Sequence, residues 1–523
     1  MKYKILCTDG FGKAGLDKLG QSPLIEVVFE KSLTHEELVA KIGPYDGLIV
    51  RSASLVSRDV IEAGVNLKVI ARAGVGTDNI DLEAATEKGI FVVNAPAGNT
   101  TSTAELAFAM ILALSRHIPQ AAHAMTEGRW EKKKFMGTEI AGKVLGVIGF
   151  GRIGREVARR AKSFQMNVMA YDPYLNDAQF ETSGANPASL EDIFRNADYI
   201  TVHTPLTDET QNLITGRELC MMKKTAHIIN CARGGIVNEE DLAAALKDGT
   251  IAGAALDVFT EEPFKRPIFQ NLENVILTPH LGASTREAQD AVAIEAARAV
   301  IGFFSEGMSL GAVNLDVAGR HAEGLKAHIE LAEKLGVLVS QISEGCINKL
   351  TIRSSAAMAN VLALAAVKGA LAGCQGRQVT LVNAASVAKE QGIAVAQETV
   401  GGRQDFTNAF GIVAEARSGR QEVWGTILLD GTPQIVSLNS YRVEIIPRGQ
   451  MLLIQNSDRP GVIGRISSIL GNAGVNIAEM QNVRNRKGAD ALTIIRVDDG
   501  VDKEVLNVIG KDEAVIKAWH ISL

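Results

Sequence analysis

At 523 residues the chain is too long for one hydrophobic core, and its length predicts three or four domains. Its 54 basic and 60 acidic residues leave a net charge of −6 with no basic face, which argues against a nucleic-acid partner. Five scattered cysteines (Cys7, Cys220, Cys231, Cys346, Cys374) form neither a CxxC pair nor a disulfide framework, so a reduced cytoplasmic compartment without a structural metal is expected.

The start, MKYKILCTDG, has an apolar core too short for a signal peptide. From Lys4 onward, short apolar runs (KILCTD, EVVFE, GLIV, LKVIARA, FVVNA) alternate with helical patterns, the βαβ rhythm of a parallel sheet. Ligands of such sheets lie beyond the carboxyl ends of the strands. At those ends stand Arg51-Ser52 and Gly74-Val75-Gly76, a guanidinium fork and exposed backbone N–H groups of the kind an anionic substrate needs. Two readings stay open, an anion site or a solvated arginine beside an ordinary turn. Thr100 to His117 predicts an amphipathic helix with Thr100 to Thr103 as capping material, able to bridge domains or to pack on a second subunit. Ala104 to Leu114 and Val361 to Leu371 are too short for membrane spans and carry Glu105 and Lys368. The run Trp130 to Lys134 reads either as a solvated face or as a phosphate contact.

Lys143 to Asp172 carries the most specific local pattern. An apolar strand breaks into Gly149-Phe150-Gly151-Arg152-Ile153-Gly154, a helix carrying Val157, Ala158 and Ala161 follows, and a second strand ends on Asp172, 18 residues after Gly154. Gly149 permits the tight turn, Gly151 lets backbone approach a pyrophosphate, and Gly154 lets the helix pack on its strand. Asp172 suits the two ribose hydroxyls and repels a 2′-phosphate, so the expected cofactor is NAD.

The strand rhythm resumes with DYITVH, HIINC, AALDV and NVILT. Their exits carry His203-Thr204-Pro205, Cys231 to Gly235, Asp257 leading to Glu261-Glu262-Pro263, and Pro279 to Ala283. Hydride transfer from an alcohol needs a base for the hydroxyl proton, and histidine suits this near neutral pH. Of nine histidines, His280 is best placed, following a strand and preceding Gly282, whereas His203 suits a loop around the adenosine. Glu262 could fix the imidazole tautomer, and Arg233 could clamp a carboxylate and polarise the forming oxygen. Together they suit oxidation of a 2-hydroxy acid. Each alone has an ordinary structural explanation; their shared sheet edge favours the functional one.

The segments RAGVGTDNIDLEAATEKGI, GFGRIGREVA, DYITVHTPLTDETQNLI, IINCARGGIVNEEDL, GAALDVFTEEP and TPHLGAST resemble the D-2-hydroxyacid dehydrogenase family, and within it the long-form phosphoglycerate dehydrogenases. The resemblance spans Lys4 to about Asn314. It implies Arg233, Glu262 and His280 as catalytic residues. It implies NAD contacts from Val75, Gly149, Gly151, Arg152, Ile153, Gly154, Asp172, Thr204, Cys231, Ala232, Arg233, Asp257, His280, Leu281, Gly282 and Ala283, and substrate contacts from Arg51, Ser52, Gly74, Val75 and Gly76. It further implies a doubly wound Rossmann-type NAD domain at 98–284 and a discontinuous flavodoxin-like substrate domain at 1–97 and 285–315. The implied reaction is NAD-dependent oxidation of 3-phospho-D-glycerate to 3-phosphooxypyruvate in serine biosynthesis, by a cytoplasmic homotetramer or homodimer. A glycerate or hydroxypyruvate reductase, and a non-enzymatic NADH-sensing corepressor, are the rival readings.

Between Asp316 and about Gly449 no titratable groups converge. VTLVNAASVAKEQGIAV resembles the intervening domain of the long-form enzymes, giving an α+β unit at 316–449. Residues 450–523 read as β-α-β-β-α-β and resemble the ferredoxin-like ACT domain, a small-molecule sensor. There Asn456, Asp458 and Asn476 are the candidate cradle for an amino-acid effector such as serine, with a purely oligomerising role as the alternative.

Overall fold

The first five apolar runs pair side by side as β1 (Tyr3–Cys7), β2 (Ile25–Phe29), β3 (Gly47–Val50), β4 (Val69–Arg72) and β5 (Phe91–Asn94). All pairings are parallel and the order is β2-β1-β3-β4-β5, the flavodoxin-like arrangement. Alternate residues feed opposite cores: Ile5, Cys7 and Ile49 join one cluster, Leu6, Leu48 and Val50 another. That is why these strands read as continuous apolar runs, since helices cover both faces. One covering helix, Arg286–Glu306, comes from far along the chain and packs on helix Lys13–Gly20, β4 and β5.

This computed structural model describes residues 2–315, 324–355, 358–373, 378–400, 408–417, 419–486 and 488–523. Cys374 lies outside them; Cys7, Cys220, Cys231 and Cys346 are free thiols.

The second sheet contains β6 (Val144–Ile148), β7 (Asn167–Tyr171), β8 (Asn186–Pro187), β9 (Tyr199–Val202), β10 (His227–Asn230), β11 (Gly253–Leu256) and β12 (Val275–Leu277). Its order, β12-β11-β10-β9-β6-β7-β8, is the doubly wound Rossmann arrangement with β6 as first strand. The chain runs outward from β6 to β8, then crosses to β9 and runs the other way, so the exits of β6 and β9 flank the switch-point crevice. Helix Thr100–Ser115 links the two sheets, and its threonines do not cap it as expected. Asn99 stands at its N-cap without a side-chain cap bond, while Ser102 Oγ and Thr103 Oγ1 donate to the Gly282 carbonyl at 2.8 and 3.1 Å. These hydroxyls therefore tie the linking helix to the turn after β12.

Two sheets follow. The mixed third contains β13 (Ile347–Ser354), β14 (Ala394–Thr399), β15 (Phe410–Ala416), β16 (Gly419–Ile427), β17 (Pro433–Leu438) and β18 (Tyr441–Ile445), with helices Leu325–Ile342 and Ala359–Ala370 against it. Its order is β14-β13-β15-β16-β17-β18, and only β13 and β14 pair in parallel. The fourth contains β19 (Gln450–Ser457), β20 (Ile477–Arg484), β21 (Asp490–Val497) and β22 (Val515–Ser522), ordered β20-β21-β19-β22 and antiparallel throughout. Among the described residues no helix is long and apolar enough to cross a membrane.

Candidate active site

The turn after β6 is built to leave a surface of bare backbone. Gly149 has φ +90°, and a Cβ there would lie 2.7 Å from the His203 carbonyl carbon. A Cβ at Gly154 would lie 2.2 Å from the Gly149 oxygen, so this helix can approach the turn only with glycine. Gly151, by contrast, is exposed and faces open space at the N-cap of helix Arg152–Ser163. Asp172, just past β7, accepts from Phe150 N and Tyr174 N, each at 3.0 Å, which fixes its carboxylate beside the turn. Across the crevice the Thr204 hydroxyl oxygen is buried with no hydrogen-bond partner among the described residues. Open space over Gly151, a fixed acid at the ribose position and an orphaned hydroxyl fit a dinucleotide. His203 bonds Thr201 Oγ1 at 2.9 Å, and burial pushes its imidazole down to about 4, so it stays neutral.

Three later exits converge on one spot. Beyond β10, buried Asn230 accepts from Ala232 N at 3.0 Å and donates to the Arg233 carbonyl at 2.8 Å, closing the turn that presents Arg233. Cys231, buried inside this turn, contacts Met110 Sδ at 3.4 Å, and burial raises its thiol far above the usual range. Beyond β11, Glu262 Oε1 accepts from Phe259 N at 3.1 Å, and its Oε2 lies 2.6 Å from His280 Nδ1. Glu262 thus orients the imidazole and leaves Nε2 as the ring nitrogen able to take a proton.

His280 itself has φ +55°, a left-handed conformation rare for a non-glycine residue. Buried Asp257 supports it by accepting from Leu281 N at 2.7 Å, Gly282 N at 2.8 Å and Thr278 Oγ1 at 2.5 Å. The structure therefore commits the Asp257 carboxylate to the histidine turn. Leu281 is exposed, and Gly282 and Ala283 lead into the second crossing between the sheets.

The first sheet supplies the facing wall. Asp9 accepts from Arg51 N and Ser54 N at 2.9 Å and from Ser54 Oγ at 2.6 Å. Asn79 donates to the carbonyls of Arg51 and Ser54 at 2.7 and 2.6 Å, so the loop holding Arg51 and Ser52 is gripped from two sides. Asn94 donates to the Val75 carbonyl at 2.6 Å and steadies the 74–76 turn. The glycines of that turn make room for cations: a Cβ at Gly74 would lie 1.3 Å from Arg72 Nη1, and one at Gly76 1.8 Å from Arg233 Nη2.

Arg72 escaped the sequence reading. Burial, helped by the nearby guanidiniums of Arg233 and then Arg51, pulls it down to about 10, and its Nε is buried without a partner among the described residues. Its position as the last residue of β4, at the same carboxyl edge as the other candidates, was the available signal. Asp78, also missed, accepts from Arg233 Nε at 3.1 Å across the cleft. Three guanidiniums from two sheets therefore cluster at the cleft, and the segment after Arg233 packs on the turn that carries Glu262 to His280. It can hold a multiply charged anion and remove a proton beside it.

The candidate effector residues are arranged differently. Asn456 is buried in the fourth sheet and accepts from Thr493 Oγ1 at 2.8 Å. Asp458 meets Arg484 Nη1 at 2.6 Å, and Asn476 donates to Asp498 at 2.6 Å. Each of the three carries its own partner rather than joining one shared contact.

Comparison with known proteins decides the family. D-3-phosphoglycerate dehydrogenase of Synechocystis sp. is 40% identical over 99% of this chain and 95% of its own length. The protein of that name from Methanocaldococcus jannaschii is 41% identical over 98% and 99%. The chain belongs to the D-3-phosphoglycerate dehydrogenase family. Within this dehydrogenase, residues 108–282 match the NAD binding domain of the D-isomer specific 2-hydroxyacid dehydrogenases. Residues 324–439 match the D-3-phosphoglycerate dehydrogenase intervening domain, and residues 450–514 the ACT domain. A glyoxylate reductase from Paecilomyes thermophila has a similar fold, with TM-score 0.55 and 29% identity over 60% of this chain and 99% of its own. The dehydrogenase is thus an NAD-dependent oxidoreductase carrying two further C-terminal units.

Proposed function

We propose that this dehydrogenase oxidises 3-phospho-D-glycerate to 3-phosphooxypyruvate, the first step of phosphorylated serine biosynthesis. The cluster of Arg51, Arg72 and Arg233, in which the segment after Arg233 packs on the turn that carries Glu262 to His280, supports the reading. A substrate with a carboxylate at one end and a phosphate at the other needs more cationic donors than a simple hydroxy acid, and here two sheets supply them. Arg233 clamps the carboxylate; Arg51 and Arg72, with N–H groups of the Gly74–Gly76 turn, hold the phosphate. His280 Nε2 takes the hydroxyl proton, and Glu262 keeps Nδ1 protonated and the ring aligned. Asp172, the Gly149–Gly154 turn and Thr204 hold NAD, which when bound supplies the hydride acceptor.

The same reading extends to assembly and control. Ile118 and Met125 are exposed on helix Ile118–Thr126 and line one hollow with Ala121 and Ala122, an apolar surface suited to a second copy of the chain in a homodimer or homotetramer. The ACT domain is the site of serine control, and the free thiols suit the cytoplasm. NADH formation by the purified protein with 3-phosphoglycerate, with and without serine, tests the proposal. No turnover with 3-phosphoglycerate, or equal turnover of unphosphorylated glycerate, overturns the substrate.

A further inference from the structure

Two carboxylates are buried among the described residues, Asp257 and Glu239. A buried charge is costly unless tightly partnered, so each needs a reason to be there. Asp257 holds the turn of His280. Glu239, the first residue of helix Glu239–Asp248 and 4% exposed, has the matching relation to the turn of Glu262.

Its Oε1 accepts from Thr260 N at 2.6 Å and from Thr260 Oγ1 at 2.8 Å. Its Oε2 lies 3.5 Å from Arg266 Nη1, and Arg266 also pairs with Glu240. Thr260 stands next to Phe259, whose N–H donates to Glu262 Oε1. On the other side, a Cβ at Gly234 would lie 1.9 Å from the Phe259 carbonyl carbon, so the turn also presses directly on the segment after Arg233. The 259–262 turn is thus fixed from below by Glu239 and from the side by Gly234, and its free end delivers Glu262 to His280.

We propose that Glu239 is a positioning residue for the dehydrogenase reaction: through Thr260 it sets the register of Glu262 against His280 Nδ1. Helix and turn are far apart in sequence, and the bonds from Thr260 to the Glu239 carboxylate tie them together. Loss of that link lets the turn shift, and sub-ångström errors in acid–base geometry are expensive in rate. The inference rests on reading Glu262 and His280 as the acid–base pair.

The test compares Glu239→Ala, Thr260→Val and Thr260→Ser, each in the wild-type and Glu262→Gln backgrounds. The measurements are kcat, KM for both substrates and melting temperature. Glu239→Ala is expected to lower kcat ~10-fold or more, toward the ~10²-fold loss of a misplaced catalytic group, with KM for NAD unchanged. Thr260→Val should lower kcat less, and Thr260→Ser, which keeps both bonds, should match wild type. In the Glu262→Gln background Glu239→Ala should lower kcat little further, because both changes weaken the same contact to His280. Additive losses, or a lower melting temperature with unchanged kcat, would make Glu239 merely structural. If Glu239→Ala fails to fold, unchanged kcat in Thr260→Val overturns the proposal. If Glu262→Gln alone leaves kcat unchanged, the acid–base reading itself falls and takes this inference with it. A loss in Glu262→Gln without one in Glu239→Ala rejects the inference alone.

Discussion

The two walls of the cleft are built on the same principle and fitted for different work. On the second sheet, Asp257 and Asn230 hydrogen-bond the backbone of the turns that carry His280 and Arg233, so that both are held rigidly at strand exits. On the first sheet, Asp9 and Asn79 likewise grip the loop of Arg51, but what they present is charge alone, Arg51 beside Arg72. On the proposed reading this gives a division of labour in which the second sheet governs the chemical step and the first governs affinity for the phosphate. The bond from Arg233 Nε to Asp78 crosses between them.

The sharpest way to break this division is to remove the base. His280→Ala should lower kcat by ~10²–10⁴-fold with little change in KM for 3-phosphoglycerate. Steady-state NADH formation measures both constants, and substantial residual kcat would move the chemistry elsewhere. Arg72→Ala should do the reverse, raising KM for 3-phosphoglycerate ~10- to 100-fold, the worth of a charged hydrogen bond, while kcat changes little. Unphosphorylated glycerate is the control. An equal rise in its KM would place Arg72 at the carboxylate instead of the phosphate. Asp172→Ala should raise KM for NAD by ~10-fold and narrow its advantage over NADP; an unchanged ratio of the two would remove Asp172 from the ribose.

Legibility in the sequence followed the same line. Strands covered by helices on both faces, such as β3 (GLIV), announce themselves as apolar runs, so both parallel sheets could be read directly except for β8, two exposed residues at the sheet edge. Gly149 to Gly154, Asp172, Arg233 and His280 were legible because each breaks such a run at its carboxyl end. Arg72 was not, because it ends a strand from inside, and a lone charge in an apolar run looks like an edge position. Asp9, Asn79 and Glu239 act through bonds to distant backbone, which no local pattern records. The Thr100 to Thr103 cluster was misread as caps for that reason: nothing near it in sequence points to Gly282. In the fourth sheet the order of elements was plain, whereas the partners of Asn456, Asp458 and Asn476 came from other strands and loops.

The smallest expected effect concerns histidines of the second sheet that take no part in the chemistry. His203 and His227 have buried Nδ1 atoms without a hydrogen-bond partner among the described residues, and burial pushes both down to about 4 from an ordinary 6.5, helped at His227 by nearby His117. Well above pH 6.5 both are neutral in the folded and unfolded chain and contribute no pH dependence. As the pH falls from 6.5 toward 4 the unfolded chain binds protons that the folded sheet refuses, so stability falls with pH across that window. The loss is about 2 kcal/mol for each at about pH 5. Thermal melts of wild type and His227→Phe near neutral pH and at about pH 5 measure it, and the variant should lose less stability on acidification. An equal loss in both proteins would mean that the second sheet opens to protonate His227, which is incompatible with a wall rigid enough to hold His280 in its left-handed conformation.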